Sequence, residues 1–402
     1  VVSWALVFGG CGGREGSTDL VSADLELDVA AEETPTSVDV GPPDDSGAET
    51  EVSAAGPCGL LGLPCPTGFF CRRVPMFDPV QVTTAYCQSE MGDAVFVPAG
   101  PFWMGPNRAT EEQWWGEYGW AKLLDAKQVE IHTGAYAILR RAVTNAEYQP
   151  CMEASASPCK APTRAWPDYY DEPEPIYSPP IEDPAFADVP VREITWRDAN
   201  TYCAWLGAST ELPWRLCSES EWEKAARGGC ETLAAELAAG VGCRDAMRAY
   251  PWGNEPLQCG LAPLQLWYTC MKTYEWEPQP SDQFPGAMSA YGMLDAFGNV
   301  MQWVEDCGHE SGLADLDEVP RDGSAWVQDC EYSPSQHPDT GVELPWLPAI
   351  RRLLRGVGMR GTYNPLTEQG MQEGSATISR VGLQYWDTQS DRSSGIRCCR
   401  SL

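Results

Sequence analysis

Cys398 and Cys399 stand side by side in "SGIRCCRSL", in a chain that carries 17 cysteines. Adjacent thiols can act as a redox pair, supply half of a soft-metal site, or serve as two staples. So many cysteines do not suit a reducing cytosol unless they hold metal. Structural zinc shows as paired C-x2-C units or as cysteine with histidine at set spacings. No C-x2-C occurs, and the histidines, His132, His309 and His337, are scattered. Disulfides formed in an oxidising compartment are therefore expected.

Composition excludes other classes of function. A net charge of −31 opposes binding to nucleic acid or to anionic lipid, because both present negative charge. No stretch approaches the roughly 18 apolar residues that span a bilayer. Residues 1–11, "VVSWALVFGGC", form a short apolar run ending in two glycines and Cys11. That pattern resembles the end of a bacterial lipoprotein signal, in which the cysteine becomes the lipidated first residue. Phe8 stands where leucine is usual, and no Lys or Arg precedes the run; a signal cleaved without lipid, or no signal at all, is the alternative. With Cys11 lipidated, sixteen cysteines remain, enough for eight disulfides.

The elements that must position these groups follow from pattern. Residues 12–57 hold twelve Asp or Glu against the single Arg14 and no aromatic residue. Such a segment cannot bury enough apolar surface to offset its ordering entropy and reads as a disordered acidic tether. Residues 58–91 carry Cys58, Cys65, Cys71 and Cys87 and read as a small module of two disulfides whose connectivity the sequence leaves open. Residues 92–402 read as one large domain. "AVFVPAGPFWMG" has strand composition broken by turn residues. "ITWRDANTYCAWLG" predicts a helix with Ala199, Tyr202, Cys203 and Leu206 on one face and Gly207 as the stop. "SESEWEKAARGG" predicts a second, with Ser218 and Glu221 as capping box, Trp222, Ala225 and Ala226 as apolar stripe, and Gly228 as terminator. The fold class is α+β with much irregular structure.

Five collinear segments carry a family resemblance: "FVPAGPFWMG" (96–105), "PVREITWRDANTYCAWLG" (190–207), "WRLCSESEWEKAARGG…YPWGNEP" (214–256), "YGMLDAFGNVMQWVED" (291–306) and "LRGVGM…SGIRCCR" (354–400). Together they resemble the formylglycine-generating enzyme, or sulfatase-modifying factor, family. The resemblance implies a C-type-lectin-like α+β domain: two helices, short twisted sheets, long loops and, here, many disulfides. It also implies an oxidase that converts a protein cysteine in a C-x-P-x-R context to formylglycine, using two cysteines that bind copper. Soft thiolates suit Cu(I). The positions that should carry them hold Gly361 and Leu366, and no cysteine occurs between Cys330 and Cys398. No catalytic residue is assigned and no copper is expected. A branch of the family that joins sulfur to histidine derivatives needs a three-histidine iron site in an additional helical domain, whereas here the three histidines are scattered and no such domain is seen.

The resemblance also implies structural calcium at "DAFGNVMQW", with ligands from Asp295 and Gln302 side chains and Gly298 and Val300 carbonyls. Hard oxygens from a tight loop are what calcium takes. Gln302 stands where the family usually has Glu, and a Gly-Asn turn without metal is the alternative reading. A second family calcium site fits badly at Pro263. By the resemblance Cys203 pairs with Cys398. Consecutive strand residues face opposite ways, so Cys399 needs another partner, and Cys217, near the second helix, is the expected one. Neighbours suggest Cys151–Cys159, Cys230–Cys243, Cys259–Cys270 and Cys307–Cys330. The functional expectation is a binding or scaffold protein held on a bacterial envelope by its lipid, with an envelope protein or glycan as ligand. The aromatic loops 111–120 and 263–278 would offer a recognition surface. The alternative is formylglycine-type oxidation of a protein cysteine by an altered site.

Overall fold

The computed structural model describes Cys58 and residues 64–73, 85–105, 128–155, 158–162, 181–255, 278–309, 318–330, 350–356, 358, 384–387, 390 and 393–402. All of these fall in one compact unit, Glu49–Leu402. The signal and tether expected at 1–57, with Cys11, lie outside the described residues.

The helices form where their caps place them. α1 spans Asn145–Glu153, α2 Trp196–Thr210 and α3 Glu219–Arg227; short α4 (Ala234–Ala238) and α5 (Cys243–Ala246) follow. Ser218 and Glu221 cap α3 reciprocally, and Gly228 ends it at φ 87°. α1 carries the same device in Thr144 and Glu147, the T-x-x-E of "TNAE". α2 does not stop at Gly207: it continues to Thr210, and Glu211 caps it in the left-handed conformation at φ 58°. Gly207 is needed for approach instead, since a Cβ there would meet Leu212 O at 3.0 Å.

Among the described residues, twelve strands make three sheets. Six pair in the order β1 (Phe69–Arg73), β2 (Ala85–Ser89), β3 (Ala94–Val97), β6 (Tyr136–Leu139), β12 (Cys398–Ser401) and β7 (Arg215–Leu216). Four pair as β10 (Gln384–Trp386), β9 (Arg351–Arg355), β8 (Met301–Cys307) and β11 (Ser394–Gly395), and β4 (Gly100–Met104) pairs with β5 (Val129–Thr133). The boundary drawn at residues 91 and 92 falls inside the six-stranded sheet, where Gln88 of β2 pairs with Val95 of β3. The cysteine-rich stretch adds two strands to that sheet's edge, and Phe69, Cys71 and Cys87 share a core with Ala137 and Cys398. Its disulfides are Cys58–Cys71 and Cys65–Cys87.

The sheet buries both faces, because side chains alternate along each strand. Val95, Val97, Tyr136, Ile138 and Cys399 join Trp222, Ala225 and Ala226 of α3 in one core. Ala94, Ala137, Leu216 and Cys398 join Ala199, Tyr202 and Cys203 of α2 in the other. A third cluster includes Phe102 and Met104 of β4 and Ile131 of β5.

Candidate functional site

Helix α3 is where sequence pattern and structure part most. Its apolar stripe is buried as expected, but so is every other residue, including Glu219, Glu221, Glu223, Lys224 and Arg227. Buried charges must be paired, and these are. Arg355, at the end of β9, reaches Glu219 at 3.1 Å and Glu223 at 2.7 Å. Glu223 also holds Arg227 at 2.9 Å and accepts from Gly105 N at 2.8 Å. Arg215 takes Glu221 in a two-bond fork at 2.7 Å. Lys224 donates to Pro98 O, Gly100 O and Thr133 Oγ1 at 2.7, 3.0 and 3.1 Å, and burial pulls its ammonium pKa down. The network clamps Arg355 at the mouth of "RGVGMRGTYNPL". Gly356 follows at φ 90°, where a Cβ would come within 3.2 Å of the Trp222 ring. Gly361 and Leu366, which stand where the thiol pair was sought, lie outside the described residues.

The second candidate is the turn at 295–302 that feeds β8. Asp295, Gly298 and Asn299 all have positive φ, at 54°, 95° and 64°, so a tight loop forms at the cost of left-handed backbone at two non-glycine residues. Side-chain hydrogen bonds hold it. Asp295 Oδ2 accepts from Ala142 N at 3.1 Å and from Ser281 Oγ, and Oδ1 accepts from Asn299 Nδ2 at 3.1 Å. Asn299 exchanges bonds with the Gln279 backbone at 2.8 and 3.0 Å. Arg397, wholly buried, donates to Leu294 O at 2.6 Å and to Gln302 Oε1 at 3.0 Å. Burial pulls that guanidinium down to about 10, with Asp295 opposing.

Gln302 decides whether this loop suits a cation. Its Oε1 accepts from Trp222 Nε1 at 2.7 Å and from Arg397 Nε. Both partners can only donate, which fixes the amide's orientation. Its Nε2 therefore faces inward and donates to Asp295 O at 2.6 Å and Val300 O at 2.7 Å. Calcium takes six to eight oxygens. Here the Asp295 carboxylate is turned to three donors, the Gln302 oxygen points away, and an N–H meets the Val300 carbonyl. Asp295, Gly298, Val300 and Gln302 are brought together in one buried turn, but the donor set does not fit calcium. Trp222, marked in the sequence only as part of the α3 apolar stripe, and Arg397 hold the turn, a role the sequence does not show because neither lies near it in the chain.

Elsewhere among the described residues, Cys58, Cys65 and Cys71 form a close group of metal-type side chains, and all are in disulfides. Bonds join Cys151–Cys159, Cys203–Cys398, Cys217–Cys399, Cys230–Cys243 and Cys307–Cys330. Cys259, Cys270, His337 and the aromatic loop 111–120 lie outside the described residues, as does 263–277 of the second aromatic loop. His132 is exposed beside Glu130. His309 stacks on Trp326 with centroids 3.5 Å apart, its Nε2 at 2.8 Å from Gln328 O.

Against known proteins, residues 80–400 match the family described as "Sulfatase-modifying factor enzyme 1-like domain". Mouse formylglycine-generating enzyme is 32% identical over 123 residues, 29% of this chain and 27% of that protein. Bovine inactive C-alpha-formylglycine-generating enzyme 2 is 27% identical over 36% of this chain and 41% of its own length. Hercynine oxygenase of Mycolicibacterium smegmatis is 28% identical over 53% and 45%. The matched stretch thus spans less than half of each of these relatives. Among solved structures, PvdO from Pseudomonas aeruginosa aligns at a TM-score of 0.47 and 21% identity, covering 79% of this chain and 95% of that one.

Proposed function

Since the chain belongs to the sulfatase-modifying factor enzyme 1-like family over residues 80–400, we propose that it uses that domain for binding or scaffolding and not for catalysis. One observation carries this reading: every cysteine among the described residues is in a disulfide. A thiol nucleophile or Cu(I) ligand must be a free thiolate, and the stretch after β9 has Gly361 and Leu366 where the resemblance seeks thiols. Family membership alone does not assign chemistry; the matched relatives include a formylglycine-generating enzyme, an oxygenase and one protein named as inactive.

In this reading, lipid on Cys11 anchors the chain to a bacterial envelope, facing the periplasm or the cell surface. The acidic segment 12–57 spaces the domain from the membrane, and the partner is an envelope protein or glycan. The disulfide density supports an oxidising compartment.

Alkylation of the unreduced, mature protein followed by mass spectrometry tests the reading. No modified cysteine, no bound copper and no aldehyde on a C-x-P-x-R peptide are expected. Aldehyde formation would overturn it in favour of an oxidase with an altered site, for which Cys259 and Cys270 would be the first thiols to replace. For the anchor, a Cys11→Ser variant should move from the membrane to the soluble fraction, and retention in the membrane would contradict lipidation.

A further inference from the structure

We infer that the side-chain amide of Gln302 takes the place of a divalent cation in the 295–302 turn, so that this turn closes without metal and a single atom decides which it needs. The turn gathers the Asp295 and Val300 carbonyls around one point, and a group must satisfy their lone pairs in a place water does not reach. Gln302 Nε2 does so with its two N–H donors, at 2.6 and 2.7 Å. The same side chain is anchored from behind by Trp222 Nε1 and Arg397 Nε on Oε1. Every hydrogen-bonding position named on this amide, two donors and two lone pairs, is therefore matched.

The arrangement is also balanced in charge. Arg397 and Asp295 are both buried, at 0% and 3% exposure, and a neutral amide between them leaves one cation against one anion. A divalent ion would add two positive charges beside a buried guanidinium that already lacks a direct carboxylate partner in the turn. Replacing the nitrogen by oxygen reverses this. In Gln302→Glu the carboxylate still accepts from Trp222 and Arg397, but its second oxygen faces two carbonyl oxygens with no proton between them. Three oxygens then converge with an added negative charge, which is a demand for a hard cation.

Thermal unfolding of the full chain, disulfides intact, tests this in EDTA and in millimolar calcium chloride. Wild type and Gln302→Met should show the same calcium-induced change in Tm, because neither uses calcium at this turn. Gln302→Glu should melt lower than wild type in EDTA and rise further on calcium, by about 2 °C or more beyond the wild-type change. It should also bind more calcium per chain after equilibrium dialysis, measured by elemental analysis. A wild-type calcium response exceeding that of Gln302→Met would overturn the inference, as would a Gln302→Glu response no larger than wild type. If Gln302→Glu fails to fold, the comparison of wild type with Gln302→Met still decides whether Gln302 serves a metal.

Discussion

Cys398 and Cys399 are consecutive, yet their sulfurs lie on opposite faces of β12, one bonded to Cys203 in α2 and the other to Cys217 just before α3. Each bond sits within a different core. The strand alternation that buries both faces of the sheet thus turns an adjacent pair of cysteines into two separate, fully buried staples.

The two staples are independent in the native state but not in the unfolded one. Each spans a long separation, 195 and 182 residues. Once one is closed, however, the other closes only the ring between Cys203 and Cys217, roughly 15 residues. Replacing either pair with alanine should cost about 3 kcal/mol, whereas replacing both should cost about 8 kcal/mol in the loop-entropy account. A double-mutant cycle by guanidinium unfolding should therefore show about 2 kcal/mol of coupling. Strict additivity would place the stabilisation in native-state contacts instead.

The two capping boxes should differ in worth. Thr144→Ala removes one cap on α1, at a cost of about 1 kcal/mol. Ser218 also donates its hydroxyl to Gly323 O at 2.7 Å and is buried, so Ser218→Ala leaves that carbonyl unpaired as well and should cost about 2–3 kcal/mol. Urea unfolding of both variants checks the order, and equal losses would mean that water replaces the Ser218 contact.

Lys224→Met conserves volume while removing the ammonium that serves Pro98 O, Gly100 O and Thr133 Oγ1. Unpaired buried acceptors and the nearby Glu231, 3.5 Å away, make a loss of about 3–5 kcal/mol expected. Because two of the acceptors lie at the turn into β4 and the third ends β5, hydrogen exchange should rise at β4 and β5 more than at β12. A uniform rise would show that Lys224 acts on global stability alone.

Helices α2 and α3 were legible because their signals are local: Ser218 with Glu221 is a capping box, and Gly228 is a terminator. The strand period likewise separates Cys398 from Cys399. What was not legible depends on distance. Nothing near Glu223 or Lys224 in sequence announces that Arg355 or the Pro98 carbonyl will cover them, so a helix with charges on most positions reads as half solvated. Gly207 misleads for the same reason, since the backbone that crowds it arrives from the following turn. At Gln302 the sequence identifies the loop, whereas the donors that orient its amide come from Trp222 in α3 and Arg397 between β11 and β12. Side-chain orientation, and with it the fit to a cation, is a tertiary property.

Asp306 sits at the N-terminus of α3, where Oδ2 accepts from Glu219 N at 2.6 Å and Oδ1 from Trp326 N at 2.8 Å. Burial, and then the Glu219 carboxylate, push its pKa up to about 7 from an ordinary 3.8. The sign follows by linkage: an acid whose folded pKa is raised gives stability that is complete below its unfolded value and is lost as pH rises through the folded one. Wild type should therefore lose stability relative to Asp306→Asn between about pH 4 and pH 7, and the difference should level off about one pH unit above that. The amide keeps one acceptor and sets its NH2 against a backbone N–H, so Asp306→Asn should be the less stable protein at pH 4 and should close the gap as pH rises. Urea unfolding at stepped pH measures this directly. A stability difference that stays constant from pH 4 to pH 8 would mean that Asp306 is ionised throughout, held by the two amides and the helix end against the cost of its burial.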